Sequence, residues 1–102
     1  MDKDKVSNIA RNYINFIKKI DPNVQKAYIF GSYVKGTMQK DSDIDLAIIF
    51  KKLDDTFDMQ VKLMKLRRKF DTRIEPHAFR ESDFKISNPL ANEILKTGLE
   101  II

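Results

Sequence analysis

The chain has 102 residues, 42% of them hydrophobic, which suits one domain, residues 1–102, with a real but modest core and leaves no room for a second. It contains no cysteine, which removes disulfides, thiolate zinc sites and Cys nucleophiles; with a charged N-terminus unlike a signal peptide, and no apolar run near the ~20 residues that span a bilayer, it reads as cytoplasmic. Nineteen Lys and Arg against fifteen Asp and Glu give a net charge of +4, which modestly favours nucleotides, nucleic acid or an acidic protein surface without choosing among them.

Residues 4–20 carry Val6, Ile9, Ala10, Tyr13, Ile17 and Ile20 at the spacing of a helix that buries one face, and Asp21-Pro22 ends it. Residues 24–30 alternate well enough to predict a first strand, which closes on Gly31-Ser32. Gly31 lets the backbone turn sharply and approach a ligand with no Cβ in the way, and Ser32 opens a helical turn over 33–38 whose first amides favour phosphate. Residues 44–50 predict a second strand, with Leu46, Ile48 and Phe50 opposite the face of Asp43 and Asp45. Alternate strand residues lie roughly 7 Å apart and point the same way, so these two carboxylates can converge on a cation. Without one they repel; Mg²⁺ prefers a few carboxylates completed by water and substrate phosphate.

A polar turn over 51–55 leads to a predicted helix over 56–70, with Met59, Leu63, Leu66 and Phe70 on one stripe that Phe57, Val61 and Met64 widen. Lys62, Lys65, Arg67, Arg68 and Lys69 crowd its second half; a solvated face is the simpler reading of them and a docking surface the sharper one. A nucleic-acid-binding module would rest on this cluster alone, which lacks interleaved aromatics and any reading motif. Residues 72–79 predict a third strand, and Pro76 within it implies an edge position or an irregular end. Parity puts Arg73, Glu75 and His77 on one face and Ile74, Pro76 and Ala78 on the other. A charge in mid-strand beside Ile74 needs a reason, whereas Asp71 closes the preceding helix or turns the chain. After a loop through Ser82-Asp83, Asn88 caps and Pro89 begins a last helix through Ile94 and Leu95, which Gly98 stops. Residues 99–102 form a mostly apolar tail able to add to a sheet edge or be covered by a partner.

Competing phosphate and metal motifs fail. Gly31 and Gly36 have the P-loop's glycine spacing, but Thr37 stands where its Lys must be. Asp41, Asp43 and Asp45 mimic the start of an EF-hand loop, yet Leu46 replaces the turn Gly and Lys52 the bidentate Glu. What Gly31-Ser32, a ten-residue spacer and Asp43-Ile44-Asp45 do resemble, position for position, is the signature of the DNA polymerase β superfamily of nucleotidyltransferases. The run from Gly31 to Thr37, with Ser42-Asp43-Ile44-Asp45, is similar to the minimal nucleotidyltransferases often encoded beside a HEPN-domain partner. Lys35 departs from the Arg of many relatives.

The resemblance implies an α/β fold, a small mixed sheet with packed helices, and a third acid on a neighbouring strand. Of Asp71 and Glu75, parity selects Glu75, and a similar Arg-Ile-Glu-Pro-His stretch in relatives agrees, although Asp is commoner there. It further implies that Asp43 and Asp45 hold two Mg²⁺ ions roughly 4 Å apart while Glu75 completes the one nearer the acceptor and takes its proton. Gly31 amides and the Ser32 hydroxyl then hold the β- and γ-phosphates of ATP or another nucleoside triphosphate. The implied reaction moves AMP to a hydroxyl, for example a Tyr of a HEPN-type partner, as an antitoxin silencing a toxin; the alternative is a subunit that only masks its partner. Arg73 pairs Glu75 or meets the triphosphate; His77 is a hydrogen-bonded strand-end residue or a contact to Glu75 or phosphate.

Overall fold

The first helix, α1 (Lys3–Ile20), forms because apolar residues recur on one side of it: Val6, Ala10, Tyr13, Ile14 and Ile17 are all buried. Lys18 and Lys19 occupy its last turn, where the helix dipole favours cations. The computed structural model describes residues 3–102. After α1 come β1 (Val24–Phe30), the single turn α2 (Ser32–Lys35), β2 (Ile44–Phe50), α3 (Thr56–Leu66), β3 (Ile74–Arg80), α4 (Pro89–Thr97) and β4 (Leu99–Glu100).

The four strands form one mixed sheet in the order β3-β2-β1-β4. β1 runs antiparallel to both β2 and β4, while β2 and β3 are parallel and joined through α3, as a parallel pair requires a crossover. One sheet face, carrying Ile29, Ile44, Leu46, Ile48, Phe50 and Ile74, is buried with the apolar side of α1 and with Leu63 of α3. On the other face Tyr28, Phe30, Ala47, Ile49 and Phe79 are buried with Ala91 and Ile94 of α4. Central β2 is therefore covered on both sides for most of its length. Each fully buried aliphatic side chain contributes about 1.5–3 kcal/mol, so these two layers hold the strands in register.

Both outer strands follow sequence-level reasoning. β3 is an edge strand, which tolerates the missing N–H of Pro76. Its outer backbone groups are covered by α3 and the turn after it: the Gln60 amide donates to the Pro76 carbonyl and accepts from Ala78 N at 3.0 Å, and Arg67 donates to the Ile74 carbonyl at 2.8 Å. The apolar tail adds to the opposite edge as β4, and Ile101 beyond it is buried.

Three expectations are corrected. The helix predicted over 56–70 ends at Leu66 and tightens into a 3₁₀ turn over Arg67–Lys69. That turn gives the amides of Phe70 and Asp71 the Arg67 carbonyl, and swings the Phe70 ring onto Tyr13 and Phe16. The third strand starts at Ile74 rather than 72, because Asp71 accepts from the Arg73 amide at 2.8 Å and makes a turn of the residues between. Of the apolar stripe on α3 only Leu63 is fully buried; Phe57 and Val61, expected to widen it, are 75% and 37% exposed.

Candidate functional site

Gly31 is where β1 hands over to α2. Its φ of 74° lies in the left-handed region, and a Cβ built there would collide with the Asp45 carboxylate. The glycine thus serves both the turn and the close approach of an acidic side chain to the backbone. Ser32 opens α2, whose first amides have no acceptors within the turn itself.

Asp45 pairs with Phe30 on β1 and lies beside Glu75 on β3, so the two acids occupy neighbouring strands at the same level and, by parity, the same face. This is the α4 side of the sheet, at the end that α4 leaves uncovered. Asp43 sits just before β2 in an exposed segment rather than within the strand. Gly31, Asp45 and Glu75 are therefore brought together, with Ser32 adjacent and Asp43 at the rim. Among the described residues no three His, Asp, Glu or Cys side chains gather closely enough to form a ready-made metal cage. The side chains turn instead toward nearby cationic or ring groups.

Asp45 Oδ1 lies 3.9 Å from His77 Nε2, and the His77 ring packs on Phe30 with centroids 5.3 Å apart. His77 thus neighbours Asp45. Glu75 Oε2 lies 3.7 Å from Arg67, which the 3₁₀ turn carries around the β3 edge. Arg67 is the residue that sequence reasoning missed. It stands in a basic run indistinguishable from a solvated face, and its only signal was its place three residues from the helix end's Phe70. Its Nε is buried without a hydrogen-bond partner, so one side of the guanidinium carries its contacts.

Arg73 does not pair Glu75. It donates to both oxygens of Asp71, at 3.0 and 2.7 Å, and to the Lys40 carbonyl at 3.1 Å. These bonds tie the 37–42 loop to the start of β3. The Arg73 hydrogen bond holds the Asp71 carboxyl below the usual carboxylate range, and the ion pair raises Arg73 in turn. Lys35 meets Glu93 of α4 at 3.5 Å, with both side chains about half exposed.

Hard oxygen donors side by side, next to amides at the start of a turn, suit a divalent cation whose remaining positions are filled by water and substrate phosphate. Asp45 and Glu75 fit that role as donors, with Asp43 at the rim of the same place.

A family model described as Polymerase beta, Nucleotidyltransferase matches residues 11–102. No protein of curated function matches the sequence. Among solved structures, a candidate nucleotidyltransferase from Sulfolobus solfataricus is 25% identical, with a TM-score of 0.63 over 79% of this chain and 72% of that one. A toxin-antitoxin structure with AMP-PNP is 23% identical, with a TM-score of 0.65 over 100% of this chain and 73% of that one. A variant of the toxin-antitoxin MntA-HpeT is 22% identical, with a TM-score of 0.66 over 91% and 71%. At these identities the last two speak for a shared fold.

Proposed function

The chain belongs to the polymerase β family of nucleotidyltransferases, and on that premise we propose that it transfers AMP from ATP, with Mg²⁺, to a hydroxyl on a HEPN-type toxin for which it is the antitoxin. The observation that carries this is the pairing of Asp45 and Glu75 on adjacent parallel strands, with Gly31 pressed against Asp45. The toxin-antitoxin neighbours in fold space, one of them with AMP-PNP, support the substrate and the partner.

In this reading Asp43 and Asp45 would hold Mg²⁺ with the triphosphate, and Glu75 would complete the side nearer the acceptor. Bound there, Mg²⁺ would neutralise the triphosphate and lower the pKa of the attacking hydroxyl. The Gly31–Ser32 amides and the Ser32 hydroxyl receive the β- and γ-phosphates. The acceptor oxygen forms its bond to the α-phosphorus as the bond to the β-phosphate bridging oxygen breaks. Pyrophosphate departs with that electron pair, and the acceptor proton passes to Glu75. His77 stands beside Asp45, 3.9 Å from its carboxylate. Arg67 counterbalances Glu75 until substrate arrives.

The test is incubation with labelled ATP and Mg²⁺, with and without the product of the neighbouring gene, followed by intact mass measurement of both proteins. A mass gain of one AMP group on the partner is expected. Neutralisation of the partner with no mass change would replace the reading with a masking subunit, and efficient labelling of free small hydroxyl compounds alone would make the chain a stand-alone enzyme.

A further inference from the structure

Helix α3 carries two apolar stripes, and only one is used within the chain. Met59, Leu63 and Leu66 face the core. Phe57, Val61 and Met64, at i, i+4 and i+7, form a second line that joins neither buried cluster. Along it run two adjoining hollows of about 380 and 280 Å³, which share Val61 and Lys65 as lining residues. An apolar line at this spacing on a solvent-facing helix is the pattern of one helix laid against another.

The charges around the stripe are divided along its length. Asp54, Asp55 and Asp58 lie at the N-terminal end, and Lys62, Lys65, Arg68 and Lys69 at the C-terminal end. A uniformly acidic partner would meet like charge at the first end, and a uniformly basic one at the second. A second copy laid parallel would set like on like throughout. Laid antiparallel, a second copy presents base to acid at both ends, and the contact closes on itself as a two-fold dimer. We propose that the outer stripe of α3 is a homodimer interface in which two copies of this chain pack their α3 helices antiparallel.

The α3 layer and the Asp45–Glu75 pair lie toward opposite faces of the sheet, joined at the β3 edge by Arg67, which lines the second hollow and lies 3.7 Å from Glu75. The proposal stands independently of the reaction assigned to the chain. The stripe is short: the 11 residues of α3 span roughly 16 Å, so the association is modest and dependent on concentration.

Sedimentation equilibrium of the full chain over a range of concentrations tests it. The wild type is expected to populate dimer as concentration rises, and Val61→Glu to weaken the dimer by at least ~10-fold by placing a charge at its apolar centre. Asp58→Lys and Lys65→Asp should each weaken it, and the two together should restore it. Circular dichroism melting confirms that each exposed-site variant remains folded. A wild type monomeric at every concentration would overturn the proposal, even if another protein proved to bind the same face. So would a dimer indifferent to Val61→Glu, or a charge swap that failed to restore association.

Discussion

Gly31 tolerates no side chain for two separate reasons, its positive φ and the Asp45 carboxylate lying where a Cβ would be. Gly31→Ala should cost about 1–3 kcal/mol of stability from backbone strain and push Asp45 from its place. Thermal denaturation and ATP titration on the same preparation check both, and a variant that kept wild-type affinity would separate Asp45 from the nucleotide. The two candidates for the third acid divide as cleanly. Glu75→Gln should lower turnover by at least ~100-fold with nucleotide affinity largely kept, while Asp71→Asn should leave turnover close to wild type. Asp71 has its own signature. Its carboxyl is held low in the folded chain by Arg73, so its contribution is present above the ordinary carboxylate value of 3.8 and lost as pH falls through the depressed folded value. Asp71→Asn should therefore cost roughly 1 kcal/mol near neutrality and flatten the acid limb of the stability curve, as read by denaturant midpoints at successive pH.

The elements show where a sequence speaks and where it is silent. The first two strands lie where apolar runs and the Gly-Ser turn put them, because both are bounded by residues that permit little else. The last helix likewise begins at Pro89 behind Asn88, whose side chain accepts from the amides of Leu90 and Ala91. The third helix was read less well. Periodicity counts apolar residues without saying which of them a neighbour will cover, and so Phe57 and Val61 joined the core on paper and face solvent in the fold. Nor does any local signal announce that Gln60 reaches across to Pro76 and Ala78, since a long polar side chain on a helix ordinarily points to water. That bridge substitutes for a neighbouring strand along the exposed edge of β3. Gln60→Ala should lower stability by about 1–2 kcal/mol and speed exchange of the Ala78 amide, measured by denaturation and hydrogen exchange. Tyr13→Phe should cost a similar ~1 kcal/mol, because the buried bond that the Tyr13 hydroxyl donates at 2.8 Å to the Leu63 carbonyl would be lost, leaving that carbonyl only the Arg67 amide.

For the molecule as a whole, the sheet serves as a frame with different work on its two sides. One side buries α1 and α3 and provides most of the core; the other is covered by α4 over part of its area and leaves the Asp45–Glu75 level open. Gly31, Ser32, Asp43 and Asp45 stand out in the sequence because they fall in one short signature, and Glu75 because of strand parity; that β3 is a parallel neighbour carrying Glu75 beside Asp45 is visible only in the fold. The contacts of Arg67 and His77 were not, since each depends on a side chain meeting an acid from another strand or turn. The most direct test of nucleotidyl transfer at this place is a comparison of the wild-type chain with Asp43→Asn/Asp45→Asn in an assay following the labelled α-phosphate of ATP. The double variant is predicted to fold with equal or greater stability, because a pair of like charges is removed, and to lose both Mg²⁺-dependent ATP binding and transfer. Undiminished transfer by that folded variant would contradict the account.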